Sequence, residues 1–352
     1  MADTTPSHVA PSSKRPGWQA RLNEEFLAEV VLYGIAAIVL ALIALRLGGA
    51  FFNSTNLVSV LEQVPEFALF SLAMAIAMIT GGIDLSVIAV ADLSAIFAAY
   101  IMTNPSIVDV LGPGGAIALA TIVALGASAL MGLFNGIIIA RFGVPALVTT
   151  LGTMLLYFGL ASGLTGGVGI TGMPSAFTDI LTLKLGPIPV SFCGLAVLFV
   201  LASFYIRNSL FGKTLYLYGD NKVAALFTGL PINRAIIISY ALSGLLAGAA
   251  GLIMLARFNS MKVGFGDTFL LQAILVAVLA GMDPYGGRGR LLNVLAAVLL
   301  LQCVENAFTI EGLSPYAKKM IWGGLLLIFM ALNFFVRRIV RRSLTRAALR
   351  AG

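Results

Sequence analysis

The sequence predicts an all-α protein: a polytopic transmembrane helix bundle of about ten spans, with N- and C-termini in the cytoplasm. Three observations predict it. Hydrophobic residues make up 59% of the 352-residue chain and charged residues only 11%, under half of the roughly 25% usual in soluble domains. The apolar residues gather in runs of about 20, long enough to cross a bilayer as helices, and not in the short alternating segments of a barrel. The basic residues flank these runs unevenly. A soluble fold could not cover so much apolar surface with so few polar groups. A soluble enzyme, a nucleic-acid-binding domain and a disordered chain are therefore excluded. The net charge of +7 sits beside apolar segments and reads as membrane orientation, not as a footprint for nucleic acid.

Along the chain, residues 1–24 are polar, rich in Pro and Ser, and carry Lys14, Arg15 and Arg21. They read as a flexible cytoplasmic tail, with no convincing signal-peptide cleavage site after the first apolar run. Residues 25–340 form the transmembrane domain. Its spans are expected at 27–47, 57–79, 84–103, 115–140, 145–165, 189–206, 235–256, 267–282, 291–310 and 319–336. The second and third are separated only by Thr80-Gly81-Gly82-Ile83, so one helix broken at Gly81-Gly82 is an alternative there. The eighth is short. Residues 341–352 form a basic cytoplasmic tail.

Charge placement tests this count. With the N-terminus inside, the inner segments collect Lys14, Arg15, Arg21, Arg141, Arg207, Lys213, Lys222, Arg234, Arg288, Arg290, Arg337, Arg338, Arg341, Arg342, Arg346 and Arg350. The outer segments keep Arg46, Lys184, Arg257, Lys262, Lys318 and Lys319. Sixteen of the 22 basic residues thus fall inside, as the positive-inside rule requires. Two loops are long. Residues 166–188 are expected outside and 207–234 in the cytoplasm. Within the second, Val223-Ala224-Ala225-Leu226-Phe227 reads as a short helix at the membrane surface, bracketed by Gly219 and Pro231.

Several motifs dissolve in context. Gly167-Val168-Gly169-Ile170-Thr171-Gly172 spells G-x-G-x-x-G, but a dinucleotide site needs a strand before it and a helix opening at it. Gly212-Lys213-Thr214 ends like a Walker A loop, yet Arg207 stands where the first glycine is required. The chain is therefore not expected to bind ATP itself, and no cofactor is expected on it. Cys193 and Cys303 lie in apolar runs, and the one histidine, His8, lies in the tail. A disulfide framework, a metal site and a Ser/His/Asp set are accordingly not expected.

Ionisable groups inside a bilayer are costly and need a reason. Glu62 and Glu66, near the outer end of the second span, read as interfacially solvated or as a polar mouth for a solute. Asp84 reads as an N-cap accepting from free backbone N–H groups, or as a pathway or domain contact. Asp92, Glu305 and Asn306 lie deeper and face a polar cavity or another polar group. Gln63, Asn135, Thr149 and Thr150 bond a neutral polyhydroxy solute or bridge helices. Glycine is abundant, with 38 residues. Gly132-x3-Gly136, Gly244-x3-Gly248 and Ala247-x3-Gly251 let helix backbones approach closely.

Taken in order, these residues carry a resemblance. Gly81-Gly82-Ile83-Asp84-Leu85-Ser86-Val87 resembles the signature of the ribose-type sugar permeases of bacterial ABC importers. So do Gly132-Leu133-Phe134-Asn135-Gly136 and Val144-Pro145-Ala146-Leu147-Val148-Thr149-Thr150-Leu151-Gly152-Thr153. Tyr218-Gly219-Asp220-Asn221-Lys222-Val223-Ala224-Ala225, then Gly229, follow at the family's spacing. Ser243-Gly244-Leu245-Leu246-Ala247-Gly248-Ala249-Ala250-Gly251 and Gly286-Gly287-Arg288-Gly289 complete the set, which runs from about residue 55 to 335.

The resemblance implies a permease subunit of the bacterial inner membrane that moves a monosaccharide or related polyol by alternating access. It implies a separate ABC ATPase subunit holding ATP and Mg, a second permease subunit, identical or paralogous, and an extracytoplasmic sugar-binding protein. No nucleic acid is implied, and the remaining contact is membrane lipid. Loop 207–234 is similar to the segment that docks into the ATPase, which assigns Gly219, Asn221, Ala224, Ala225 and Gly229 to coupling. Candidates for the translocation pathway are Asp84, Ser86, Asp92, Asn135, Thr149, Glu305 and Asn306. The chain departs from the family at Ile88, at Leu271-Gln272-Ala273-Ile274, where Leu-Asp-Ala-Ile is usual, and at Ala280-Gly281-Met282-Asp283. These departures imply a divergent branch, in which two different permease chains often pair. An ion-coupled secondary transporter, with Asp84, Asp92 and Glu305 as ion sites, is the alternative reading. A membrane-embedded enzyme acting on lipid is the third.

Overall fold

A computed structural model of the protein describes residues 18–331, without the side chains of 18–28 and 181–182. Most of the predicted N-terminal tail, the end of the tenth span and the basic tail 341–352 lie outside the described residues. The described chain is helical nearly throughout. α1 (Trp18–Leu47) begins within the segment expected to be tail. Asn53 starts α2 (Ser54–Ile79) by accepting the Asn56 N–H at 2.7 Å. α3 (Val87–Thr103) follows after a non-helical break.

Asn104 caps α4 (Pro105–Phe142) through the Ser106 N–H at 3.0 Å, with proline at the first helical position, where no N–H is needed. Gly112 (φ 69°, ψ 165°) and Pro113 interrupt its first turns. This interruption explains why sequence placed the span's start ten residues later. α5 (Ala146–Thr165), α6 (Ser175–Thr178) and α7 (Val190–Asn208) come next. Ser209 and Asn221 cap α8 (Leu210–Asp220) and α9 (Lys222–Leu226) by accepting the Gly212 and Ala224 N–H groups at 3.1 and 3.2 Å. α10 (Ile232–Phe258), α11 (Asp267–Leu279) and α12 (Leu291–Ile310) follow. A further helix, α13, covers 315–331.

Among the described residues, seven helices are long and apolar enough to cross a membrane: most of α1, then α2, α4, α5, α7, α10 and α12. α3 and α11 are shorter, at 17 and 13 residues. Both lie at the two places where the predicted spans were least regular. Every residue of α2 from Val64 to Ile79 is buried, so α2 is the axis of the bundle. α10, α11 and α12 pack around it, and α10 also packs along α4 and α3.

The α4–α10 contact is close because glycines face each other. A Cβ on Gly132 would overlap the Tyr240 carbonyl oxygen, and one on Gly136 would fall 2.8 Å from Ile237 Cα. This is the close approach that the small-x3-small spacing predicted. On the periphery, α1, α5 and α7 expose Leu45, Leu155, Leu201 and Phe204, the composition of a lipid-facing surface.

The bundle has two distinct ends. One carries α8, α9 and the α11–α12 connection. The other carries two small antiparallel sheets. β1 (Ile170–Thr171) pairs with β4 (Ser260–Met261), and β2 (Lys184–Leu185) pairs with β3 (Ile188–Pro189).

Candidate functional site

Three features stand out from the residues upward: a backbone junction at the α8–α9 end, a buried polar knot above it, and a polar cavity toward the opposite end. The junction begins where α2 stops. The Gly81 N–H donates to Met78 O at 3.0 Å and the Gly82 N–H to Ala77 O at 3.4 Å. This bond pair closes a helix with a left-handed residue, here Gly81 at φ +74°.

α11 ends on the same device. Gly281 bonds Val278 O at 3.1 Å and Met282 bonds Ala277 O at 2.9 Å. The two terminations meet: a Cβ on Gly81 would lie 2.5 Å from Tyr285 O. Gly219, in the last turn of α8, wedges between them, and a Cβ there would overlap Ile79 O and Gly287 N. Tyr216 Oη adds a bond to Gly289 O at 2.7 Å. Backbone therefore touches backbone at three segments, which only glycine permits.

The polar knot fills the α2–α3 break. Asp84 Oδ1 accepts from the Ser86 N–H at 3.0 Å and from Ser86 Oγ at 2.6 Å, and Asp84 Oδ2 accepts from Ser243 Oγ of α10 at 2.8 Å. Ser86 Oγ in turn accepts from Asn135 Nδ2 of α4 at 2.8 Å, and Thr150 Oγ1 of α5 donates to Ile83 O at 3.0 Å. Asp84, sealed from solvent at 2% exposure, thus joins α10 to the start of α3, while Ser86 and Ile83 beside it take in α4 and α5. Ser86, not Asp84, occupies the N-cap position of α3. Asp84 supports that cap by holding the Ser86 N–H.

The cavity encloses about 260 Å³ between α2, α10, α11, α12 and α13. Glu66, buried to 0% exposure, is clasped by the Arg257 guanidinium, with Nε 3.0 Å from Oε2. Glu305 accepts from Lys318 Nζ at 2.8 Å, Trp322 Nε1 at 3.0 Å and Gln272 Nε2 at 3.4 Å. Gln302 Nε2 donates to Gln63 Oε1 at 3.2 Å. Thr268 and the ring of Phe269 complete the wall.

At the junction end, α9 stands on the bundle with one side packed and the other bare. Ala225 is buried against Ile232, Ile236 and Tyr240. Val223, Leu226 and Phe227 are 67%, 65% and 86% exposed.

The predicted residues therefore separate into groups. Asp84, Ser86 and Asn135 are joined in the knot. Thr149 is buried nearby, with its hydroxyl unpaired among the described residues. Asp92 lies apart on α3, where Oδ2 accepts the Gly264 N–H at 2.7 Å and tethers the loop before α11. Glu305 belongs to the cavity, and Asn306 is buried beside it in sequence.

Of the coupling set, Gly219 sits in the junction, Asn221 caps α9, Ala225 anchors it, and Ala224 and Gly229 are exposed. Sequence reasoning named Glu66 and Gln63 but not Arg257, Gln272, Gln302, Lys318 or Trp322 as their neighbours. The available signal was the presence of Gln272 and Gln302 within apolar runs. Gly212-Lys213-Thr214 lies within helix α8, and the G-x-G-x-x-G run contributes β1.

Residues 56–330 match the family model described as branched-chain amino acid transport system / permease component. The ribose import permease protein RbsC of Escherichia coli (strain K12) is 32% identical over 82% of this chain and 88% of its own. RbsC of Bacillus subtilis (strain 168) is 31% identical over 84% and 89%. The autoinducer 2 import system permease protein LsrD of Photorhabdus temperata is 29% identical over 90% of each chain. No solved structure matches the chain.

Proposed function

The chain belongs to the branched-chain amino acid transport system / permease component family, and from that premise we propose how this permease subunit of an ABC importer moves its solute. The solute is a monosaccharide or related polyol, and ATP and Mg are bound by a separate ATPase subunit. The family description names amino acids, whereas the relatives above are named for ribose and autoinducer 2. The site chemistry favours the sugar class. An amino acid's two charges are best received by a cation and an anion not already paired with other side chains, or by helix ends. In the cavity Arg257 is held by Glu66, and Lys318 by Glu305.

One observation carries the mechanism: α9 is an exposed apolar knob whose stalk is locked into the bundle's axis. Phe227, Leu226 and Val223 present the surface that docks into the ATPase. α8 connects that surface to Gly219, and Gly219 touches the ends of both α2 and the α11–α12 connection. Movement of a docked α9 is therefore delivered to the broken helices and not absorbed in a slack loop. The knot at Asp84 is the latch that rearranges as the helices rock. α3, α11 and α13 complete ten spans with the α8–α9 end in the cytoplasm, in keeping with the basic residues near it. A second permease subunit, identical or paralogous, pairs with this one, and an extracytoplasmic binding protein delivers the sugar to the end that carries the sheets. Tight specificity resides in that protein, so the pathway needs few binding groups.

The test is affinity purification of the chain from mildly solubilised native membranes. A co-purifying Walker A ATPase supports the proposal and shows whether the second permease is identical. Uptake-competent membranes from which no ATPase travels with the chain would contradict it.

A further inference from the structure

We propose that the cavity between α2, α10, α11, α12 and α13 is a low-affinity monosaccharide site contained within one subunit, so that an importer built on two copies of this chain holds two such sites. The proposal rests on the importer reading for its direction, but its chemistry stands on the cavity alone. At about 260 Å³ the space lies below the ~300–1,000 Å³ of pockets for drug-sized ligands, so it admits one sugar ring and not a chain of rings.

Its polar wall is built. Glu66, Gln272 and Gln302 are 0%, 5% and 3% exposed inside an apolar bundle, where unpaired polar groups are costly and leucine would pack more cheaply. The hydrogen bonds described above use the amide nitrogens of Gln272 and Gln302 but neither side-chain oxygen, nor the Thr268 hydroxyl. Those groups line the space and can accept from sugar hydroxyls. Both ion pairs are internally neutral, so a neutral ligand is preferred to a charged one. Phe269 is held in place by Phe70, with ring centroids 5.6 Å apart, and Trp322 is fixed through its Nε1–H to Glu305. These rings give a pyranose or furanose apolar surface for its C–H faces. The combination of amides, paired carboxylates and aromatic rings recognises vicinal hydroxyls.

The chain contains two tryptophans, Trp18 and Trp322. Trp18→Phe therefore makes Trp322 the only indole in the full-length chain. The experiment titrates that variant in lipid nanodiscs with D-ribose, D-xylose, D-galactose and myo-inositol, with L-leucine and sucrose as controls. In parallel, Cys193→Ser and Cys303→Ser remove both native thiols, and Thr268→Cys in that background reports access to the cavity by its rate of alkylation. At least one monosaccharide or polyol is expected to shift Trp322 emission saturably and to slow alkylation, while both controls leave them unchanged. Gln272→Leu is expected to weaken the response by about tenfold, the cost of one lost buried hydrogen-bonding group. Silence of both reporters across the panel overturns the site, as does an equal response to sucrose or leucine, or an unchanged response in Gln272→Leu. ATP-driven uptake of a panel sugar by the assembled transporter with both reporters silent would remove the site and leave the importer reading standing. A response without any ATP-driven uptake would do the reverse.

Discussion

The Gly287 amide donates to the Ile79 carbonyl at 2.9 Å, so the loop before α12 completes the last turn of α2. Gly219 closes the same contact from α8. Adding a single methyl at Gly219 would force it into the Ile79 carbonyl, and packed backbone cannot move aside as a flexible side chain can. Gly219→Ala is expected to reduce transport by at least about tenfold while the chain still inserts in the membrane. Gly159→Ala serves as the control. Gly159 is also helical, within α5, but nothing lies within 4 Å of the added carbon, so the change is expected to leave transport intact. Solute uptake at matched protein level separates the two.

Asp84 is an acceptor for three donors and has no cationic partner among the described residues. Asp84→Asn keeps an oxygen for the Ser86 groups, and Ser243 can turn its hydroxyl to accept from the new amide. This variant is expected to retain most transport. Asp84→Leu strands the Ser86 N–H and the Ser243 hydroxyl in a buried site, at about 1–3 kcal/mol each, and is expected to lose both transport and thermal stability. Collapse of Asp84→Asn together with loss of pH response would instead make Asp84 a proton carrier.

Arg257→Met leaves Glu66 buried without its counter-charge, at a cost of about 3–5 kcal/mol. Pairing it with Glu66→Met removes both charges and is expected to recover most of that stability. Thermal unfolding of the three proteins in one detergent reads the difference. Stability that does not recover in the double variant would mean that the pair has a role beyond mutual neutralisation.

Much of the bundle was legible because its signals are local. Runs of about 20 apolar residues and small-x3-small spacings are each read within a single segment. The short α3 and α11 were harder, since α3 starts only after the glycine termination of α2, α11 stops at its own, and the two terminations meet across the bundle. The polar groups show the same limit. Asp84 and Asn135 stood out individually as polar residues in apolar runs, and Ser86 through the resemblance, but their union in one knot depends on how α3, α4 and α10 cross. Arg257 reads as an ordinary basic residue at a helix end, and only the fold brings it to Glu66, 191 positions away. The exposed apolar tip of α9 looked like any short amphipathic segment until Ala225 was seen to be its buried side and Phe227 its bare one.

Phe227→Asp is accordingly expected to release the ATPase, lowering its recovery with the chain by at least about tenfold, as the loss of a central aromatic anchor does in other interfaces. The bundle itself is expected to remain intact, because Phe227 makes little contact with it. Ala225→Arg acts on the other side of α9, where it forces the helix off its cluster with Ile236 and Tyr240. It is expected to weaken docking together with local stability. A melting temperature that falls in Ala225→Arg but not in Phe227→Asp distinguishes the two sides.

The most direct test of the account is solute uptake by the purified assembly in sealed proteoliposomes, with ATP supplied on the ATPase side and ionophores present to collapse every ion gradient. The account predicts uptake that requires ATP, survives the ionophores and is lost in Phe227→Asp. Uptake that follows an imposed proton or sodium gradient, ignores ATP and persists in Phe227→Asp would contradict it.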